Sequence, residues 1–283
     1  MGLLSGLGDL GLGKIENADI FEEKKQETAE AGKPVEKPFD EGEWLFDKTT
    51  TCPVCDNEFT NRTLKTGKAR LIGQDPDLRP RYEKMDPLKY EVVVCPSCGY
   101  AGVGAFFTKI TPPQAKLVKA NISGKVHGVK HSGIFDYDDA IKRYQLALAS
   151  AIVKKGKDSE KAYTCLKMAW CIRGKKETYD VNAADYEDVM AQCRADENEA
   201  LMTAFDGFVK ARQSENFPIA GMDEIALDYL LAELASRFGK TDVASKLISG
   251  ILGNTKASSR MKDKARDLKE RVQAEIRMKN GEM

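Results

Sequence analysis

The chain has 283 residues, of which 42% are hydrophobic and 31% are charged, as in ordinary globular proteins. Its length suffices for two modest domains with a sizeable core. No segment reaches the roughly 18 apolar residues that a membrane helix needs, and the N-terminus lacks the basic start and cleavage site of a signal peptide. We therefore expect a cytoplasmic protein that makes no contact with a membrane.

The charge is zero in sum but unevenly distributed. Residues 1–43 carry a net charge of −6, residues 44–130 carry +6, and residues 131–283 are neutral. Such segregation bears on the partners of a protein rather than on its fold.

The first segment, residues 1–43, begins with alternating leucine and glycine and continues as a charged stretch interrupted by proline and glycine. Such a stretch cannot bury enough apolar surface to fold alone. We predict a disordered acidic tail. The alternative is a short helix at the leucines that docks on a partner or on the protein itself.

Two cysteine knuckles follow, Cys52-Pro-Val-Cys55 and Cys95-Pro-Ser-Cys98, with 39 residues between them. A Cys-x-x-Cys turn directs two sulfurs to one side, so two knuckles supply the four ligands of a tetrahedral zinc ion. Neither knuckle has a histidine at ligand spacing. The pattern predicts a closed, structural Zn²⁺ site made of four cysteines, since no coordination position remains open for water.

Two other interpretations of the knuckles remain. An iron–sulfur centre uses the same ligand type, although knuckles on two strand-like arms favour a zinc ribbon. A thiol-redox pair would need a helix N-terminus within a βαβ unit, which neither knuckle has. The other cysteines, Cys165, Cys171 and Cys193, lie in helical sequence, where such residues are usually small buried hydrophobes.

The segment between the knuckles is predicted to form strands at Lys68–Gly73 and Tyr90–Val94, with a loop between them. Its basic residues are Arg62, Lys65, Lys68, Arg70, Arg79, Arg81 and Lys84. They are candidate contacts for nucleic acid or a partner, although only Tyr82 is near them for base stacking. Alternatively, arginines of this insert pair with Asp75 or Asp77, or the acidic tail covers this face.

Catalytic motifs are not evident in the sequence. His127 and His131 have the spacing of two metal ligands on a helix, but Gly128 and Gly133 argue against a helix there. No phosphate-binding loop, G-x-S-x-G turn or nucleophile–base set stands out. These observations favour a protein that is not an enzyme.

From Asp136 onward the apolar spacing is helical. Segments that begin at Tyr137 and Gly239 follow the spacing of the second helix of a tetratricopeptide unit, in which small residues allow close helix crossing. An irregular helical bundle is the alternative. In a tetratricopeptide-like array the first helices would form a groove for a basic peptide, and the candidate groove residues are Asp223, Asp228 and Glu233.

Four segments of the chain resemble the bacterial domain of unknown function 2225, which occurs largely in Firmicutes, especially clostridia. They are TCPVCDNEF, KTGKARLIGQDPDLRPRYEKMDPLKYEVVVCPSCGYAG, FDYDDAIKRYQLAL and FPIAGMDEIALDYLLAELASRFG. The resemblance implies a zinc-ribbon-like N-terminal part and a tetratricopeptide-like C-terminal part. It implies that the family's metal-site cysteines correspond to Cys52, Cys55, Cys95 and Cys98, and it supplies no activity.

Together these patterns predict an α+β protein that is mainly α. We expect the tail over residues 1–43, a zinc-ribbon-like module over 44–130 and a tetratricopeptide-like helical domain over 131–283. The leading functional hypothesis is a zinc-binding interaction or scaffold protein whose partner is a protein or peptide. The alternatives are a zinc-ribbon protein that binds RNA or DNA through the basic insert and a thiol-redox factor.

Overall fold

Three antiparallel strand pairs precede eight α-helices in residues 39–279, the part that the computed structural model describes. The strands are β1 (Leu45–Thr51), β2 (Glu58–Leu64), β3 (Leu71–Gln74), β4 (Pro80–Tyr82), β5 (Val92–Val94) and β6 (Ala101–Val103). The helices are α1 (Gly104–Phe107), α2 (Pro112–Asn121), α3 (Tyr137–Val153), α4 (Asp158–Thr178), α5 (Tyr186–Ser214), α6 (Glu224–Arg237), α7 (Thr241–Gly253) and α8 (Ser259–Lys279). The predicted class, α+β and mainly α, is confirmed.

Each cysteine knuckle is the turn of a β-hairpin. Strands β1 and β2 pair from Leu45 opposite Leu64 to Thr51 opposite Glu58, and the first knuckle joins them. Strands β5 and β6 pair in the same antiparallel way, and the second knuckle joins them. Because a hairpin fixes both ends of its turn, each pair of cysteines is held by a ladder of backbone hydrogen bonds.

The predicted loop between the knuckles contains more structure than its composition indicates. Strand β4 pairs with β3 across an irregular register, and a 3₁₀ helix spans Pro87–Tyr90. Helix α2 also lies in a region for which the sequence indicated only strands and loops. Its start has a recognisable signal, because Thr111 and Gln114 form a capping box and proline occupies the first turn.

The β3–β4 hairpin is held on the helices by a cluster of charged side chains. Arg173 of α4 forms a bidentate pair with Asp77, at 3.0 and 2.6 Å, and donates to Asp75 at 3.0 Å. It also donates to the buried Glu197 of α5 at 2.9 Å. Trp170 donates to Asp77 at 3.1 Å. This cluster therefore connects the hairpin with two helices.

Helix α3 packs directly on the cysteine hairpins. Val92 and Val103 share one apolar core with Tyr144 of α3. The guanidinium of Arg143, which is buried, donates to Asn61 of β2 at 3.2 Å and to the carbonyl of Val92 at 2.8 Å. Residues 39–279 accordingly pack as one compact unit, in which the predicted module and the predicted helical domain share a core.

Helix α4 is the central helix of the C-terminal half. It packs against α3 on one side and α5 on the other, and more than half of its residues are buried. Helices α6, α7 and α8 pack against one another beyond α5. The tetratricopeptide-like arrangement stays a prediction.

Within the described residues, no helix is both long and apolar enough to cross a membrane. Most of the predicted acidic tail, residues 1–38, lies outside the part of the chain that the structure describes. Its predicted disorder and its docking alternatives therefore stay predictions.

Candidate metal centre

The four knuckle cysteines converge on one point. Their Sγ atoms all lie within 4.8 Å of one another. The hydrogen-bonded pairs cross between the knuckles, with Cys52 Sγ 3.6 Å from Cys98 Sγ and Cys55 Sγ 3.6 Å from Cys95 Sγ. A tetrahedral zinc ion with bonds of about 2.3 Å requires sulfurs about 3.8 Å apart. The sulfur arrangement therefore fits a metal ion, which would clamp the two hairpins together.

The two knuckles have the same backbone geometry. In each, the first cysteine donates its N–H to the carbonyl five residues later, at 2.9 Å, and accepts from the N–H four residues later, at 3.0 Å. Asp56 and Gly99 follow the second cysteines with φ of 59° and 73°. A Cβ on Gly99 would lie 2.6 Å from Val126, so this position needs glycine for both its φ and its space.

Hydrogen bonds and burial shift the pKa values of the knuckle thiols in different directions. The Cys98 S–H, together with the Val54 N–H, lowers the pKa of Cys52 to about 5, despite burial. Donation to Cys52, with burial, raises the pKa of Cys98, and burial raises that of Cys95 to about 11. Among these three thiols, only Cys52 therefore has a lowered pKa. A cation is what would allow all four to ionise together.

The cysteines are enclosed by an apolar cluster, in which Tyr100 stacks on Phe107 with ring centroids 5.0 Å apart. The Tyr100 hydroxyl donates to the carbonyl of Phe107 at 3.0 Å and accepts from Lys154 at 3.3 Å. Lys154, at the end of α3, is itself buried and pairs with Glu160 of α4 at 2.7 Å. This chain of contacts connects the second knuckle to the turn between α3 and α4.

The other three cysteines are buried residues whose surroundings disfavour the thiolate form. Cys165 and Cys171 lie on α4 and Cys193 on α5, and all three are buried. Burial raises the pKa of each thiol, that of Cys165 to about 11. They behave as the small buried hydrophobes that the sequence predicted.

The two histidines do not form a second metal group. His127 and His131 lie in the loop between α2 and α3, beside the second knuckle, where they line a cavity of about 280 Å³. In residues 39–279, the four cysteines are the one group of three or more cysteine, histidine or acidic side chains at metal-binding distances.

Two arginines of the insert form ion pairs with acidic residues of the same protein. Arg79 is 3% exposed and pairs with Glu177 at 3.1 Å, Asp86 at 3.4 Å and Asp75 at 3.9 Å. Arg81 pairs with Glu177 at 2.6 Å and with Asp75 at 3.6 Å. These ion pairs match the internal pairing that the sequence left open as an alternative to nucleic-acid contact.

The other candidate contacts of the insert lie at the surface. Arg62 is half-buried and pairs with Asp47 at 3.2 Å. The exposed ones are Lys65, Lys68, Arg70 and Lys84. Residues 65–74 contain no acid and include the exposed apolar pair Leu71 and Ile72.

The acids predicted to line a peptide groove all have partners in the fold. Asp223 caps α6 by accepting from the N–H of Ala226 at 2.7 Å. Asp228 pairs with Arg212 at 2.6 Å. The third acid, Glu233, is buried and accepts from Tyr229 and Arg271. A basic ligand would have to compete with these partners, and the predicted contact stays a prediction.

Comparison with known proteins gives a family and no activity. A curated protein of Borreliella burgdorferi, described as uncharacterized, is 34% identical to this chain over 93 residues, which cover 30% of this chain and 32% of that protein. The matched segment thus spans about a third of that relative. No solved structure gives a significant match.

The family DUF2225, described as an uncharacterized protein conserved in bacteria, matches residues 45–272. The match takes in both cysteine hairpins and most of the helical half. It covers well over half of the chain, so the resemblance seen in the sequence is confirmed and the protein belongs to the bacterial family DUF2225.

Proposed function

We propose that this chain is a zinc-binding interaction protein in which a structural Zn²⁺ fixes the cysteine hairpins. The observation that carries the proposal is the convergence of four sulfurs, two from each hairpin turn, at nearly tetrahedral spacing. Tetrahedral sites of four thiolates suit zinc or iron, and closed knuckle pairs on strand arms favour zinc.

A zinc ion at this site would supply folding energy rather than reaction chemistry. Four protein ligands leave no open position for water or substrate. The residues around it have matching structural roles: Tyr100 and Phe107 exclude solvent, and Lys154 ties the knuckle to the helices. The site therefore supports a framework function.

The second part of the proposal is that the helical half binds a protein or peptide in the cytoplasm. In this interpretation the zinc module acts as a rigid base and the tetratricopeptide-like helices present the partner surface. The core that α3 shares with the β5–β6 hairpin supports it, because metal binding would then stabilise the surface-bearing helices as well.

The test is elemental analysis of the purified full-length protein, combined with titration by an organomercurial that displaces metal from thiolates. We expect about one zinc per chain, released as the four knuckle thiols react. Iron in place of zinc, or no metal together with freely reactive knuckle thiols in the native protein, would contradict the proposal.

Nucleic-acid binding through the insert is the second candidate. The observation that favours it is the exposed, acid-free segment 65–74 with Lys65, Lys68 and Arg70. Binding of labelled single-stranded RNA and duplex DNA should weaken steeply as salt rises. The double variant Lys68→Glu/Arg70→Glu should abolish it, whereas Lys269→Glu on the exposed side of α8 should not. Absence of a mobility shift at low salt excludes this candidate.

A further inference from the structure

A groove runs along the C-terminal half between α3 and α5. Both helices pack against α4. Side chains of all three helices line a cavity of about 320 Å³ that is open to solvent. Ile141 and Leu148 of α3 form one wall, and Met168 and Ile172 of α4 form the floor. None of the acids predicted from the sequence for a peptide groove lines it.

The apolar residues of this groove have the spacing that accepts a helix. Ile141 and Leu148 lie two turns apart on α3 with Gln145 between them, and Ile152, which is 58% exposed, lies one turn beyond the cavity in the same stripe. At 1.5 Å per residue the stripe extends about 16 Å, or three helical turns. Met168 in the floor is flexible and adapts to varied apolar side chains. This combination is typical of grooves that bind an amphipathic helix.

The α5 wall of the groove is acidic and carries no compensating cation. Asp196 accepts from the amide of Gln192 at 2.7 Å, and no Lys or Arg in residues 39–279 lies within 4 Å of its carboxylate or of that of Glu199. By contrast, Glu197 on the same helix pairs with three cations, Arg173, Lys176 and Arg237. The acids that face the groove are therefore available to a basic ligand.

We propose that this groove binds an amphipathic helix of a partner protein, with apolar residues on one face and Lys or Arg along one flank. The inference rests on the proposed interaction role and names the class of partner. The apolar stripe would bury the partner's leucine-type side chains, while Asp196 and Glu199 would pair with its basic flank. The same acids would repel the phosphates of a nucleic acid or of an anionic membrane surface.

The experiment measures fluorescence anisotropy of two labelled helical peptides with the full-length protein. Each peptide has about 15 residues, with leucine at positions i, i+3, i+4 and i+7; one carries lysine and the other glutamate at the remaining positions. We expect the lysine peptide to bind at least about tenfold more tightly than the glutamate peptide. The double variant Asp196→Lys/Glu199→Lys should invert this preference, and Leu148→Gln should weaken both.

The matched control is Glu270→Lys, which reverses an exposed acid of α8 outside the groove and should change neither affinity. Equal binding of the two peptides, or a preference that survives the charge reversal, would overturn the proposal. So would self-association of the wild type that Leu148→Gln abolishes, because a second copy would then occupy the groove. Zinc content is measured on every variant. A protein that contains zinc but does not bind the peptides would refute the groove proposal and leave the zinc proposal standing.

Discussion

The candidate metal centre and the Arg173 cluster both join segments that are distant in sequence, but negative charge would be neutralised differently in each. The cysteines join two hairpins across 46 residues, and their charges need a cation from outside the chain. Arg173 joins the β3–β4 hairpin to α4 across 96 residues, and the chain itself supplies the cation to Asp77 and Glu197.

This difference predicts that the two sites lose their stabilising contacts under different conditions. In the cluster, burial opposes ionisation of Asp77 and Glu197, but hydrogen bonds and charge from Arg173 and Lys176 outweigh it and lower the pKa of both carboxyls. At the knuckles, burial raises the pKa of Cys95, and donation to Cys52 together with burial raises that of Cys98, so ionisation of these two thiols would depend on a bound metal. A chelator should therefore weaken the hairpins that hold the cysteines and leave the Arg173 cluster intact.

The largest effect is expected from Cys98→Ser. Loss of one thiolate from a four-thiolate site removes stoichiometric metal and the folding energy it supplies, so the cysteine hairpins should open. Elemental analysis and amide hydrogen exchange of β1, β2, β5 and β6 measure this. Cys165→Ala, in a buried cysteine outside the site, is the matched control and should keep one zinc per chain. Retention of zinc by Cys98→Ser would contradict the assignment of the ligands.

The next largest effect is expected from Arg173→Met. The variant keeps much of the side-chain volume but leaves Asp77 with Trp170 as its remaining side-chain partner among the described residues, and it removes one of the three cations of Glu197. Breaking a buried pair in this way typically costs about 3–5 kcal/mol. Urea unfolding measures the loss, and zinc content should not change. A loss below about 1 kcal/mol would mean that the cluster behaves as a surface pair.

A pH titration tests the same cluster without removing the arginine. Because the folded-state pKa of Asp77 lies below its unfolded value, its ionisation stabilises the fold above about pH 4 and that contribution is lost as the pH falls through the lowered pKa. The difference in unfolding free energy between the wild type and Asp77→Asn should therefore shrink between about pH 5 and pH 3. Taking the difference cancels effects common to both proteins, including acid release of metal. A constant difference would refute the pKa shift.

The same contrast explains how far the sequence could be interpreted. The convergence of the four cysteines was predictable because each Cys-x-x-Cys turn is local and the chemistry of a zinc site would fix both the number and the spacing of its ligands. Strand β4 was missed because Pro80 and its aspartate-rich flank indicate a loop, while the contacts of Arg173 that hold the hairpin come from a distant helix. The Arg173 cluster and the α3–α5 groove were missed because the spacing of residues along one helix does not show which helices pack together, and the packing of α3 and α5 on α4 brings their members together.

The smallest effect is expected from Arg212→Met, which tests whether geometry or burial decides the strength of an ion pair. Arg212 grips Asp228 through two hydrogen bonds of 2.6 and 3.0 Å, the same two distances as between Arg173 and Asp77. The side chain of Arg212 is 38% exposed, however, and that of Arg173 only 14%. Water can replace Arg212, so we expect a loss of about 0–1 kcal/mol in urea unfolding.

If Arg212→Met instead costs as much as Arg173→Met, bidentate geometry rather than desolvation dominates both pairs. If the loss is small, Arg212→Met leaves Asp228 free to bind a ligand without destabilising the fold. The variant then also tests the acids that the sequence predicted to bind a basic peptide. Tighter binding of the lysine peptide to Arg212→Met would assign a second contact to the α6 surface. Unchanged binding would leave the α3–α5 groove as the binding site, because the acids of that groove need no competing arginine to be displaced.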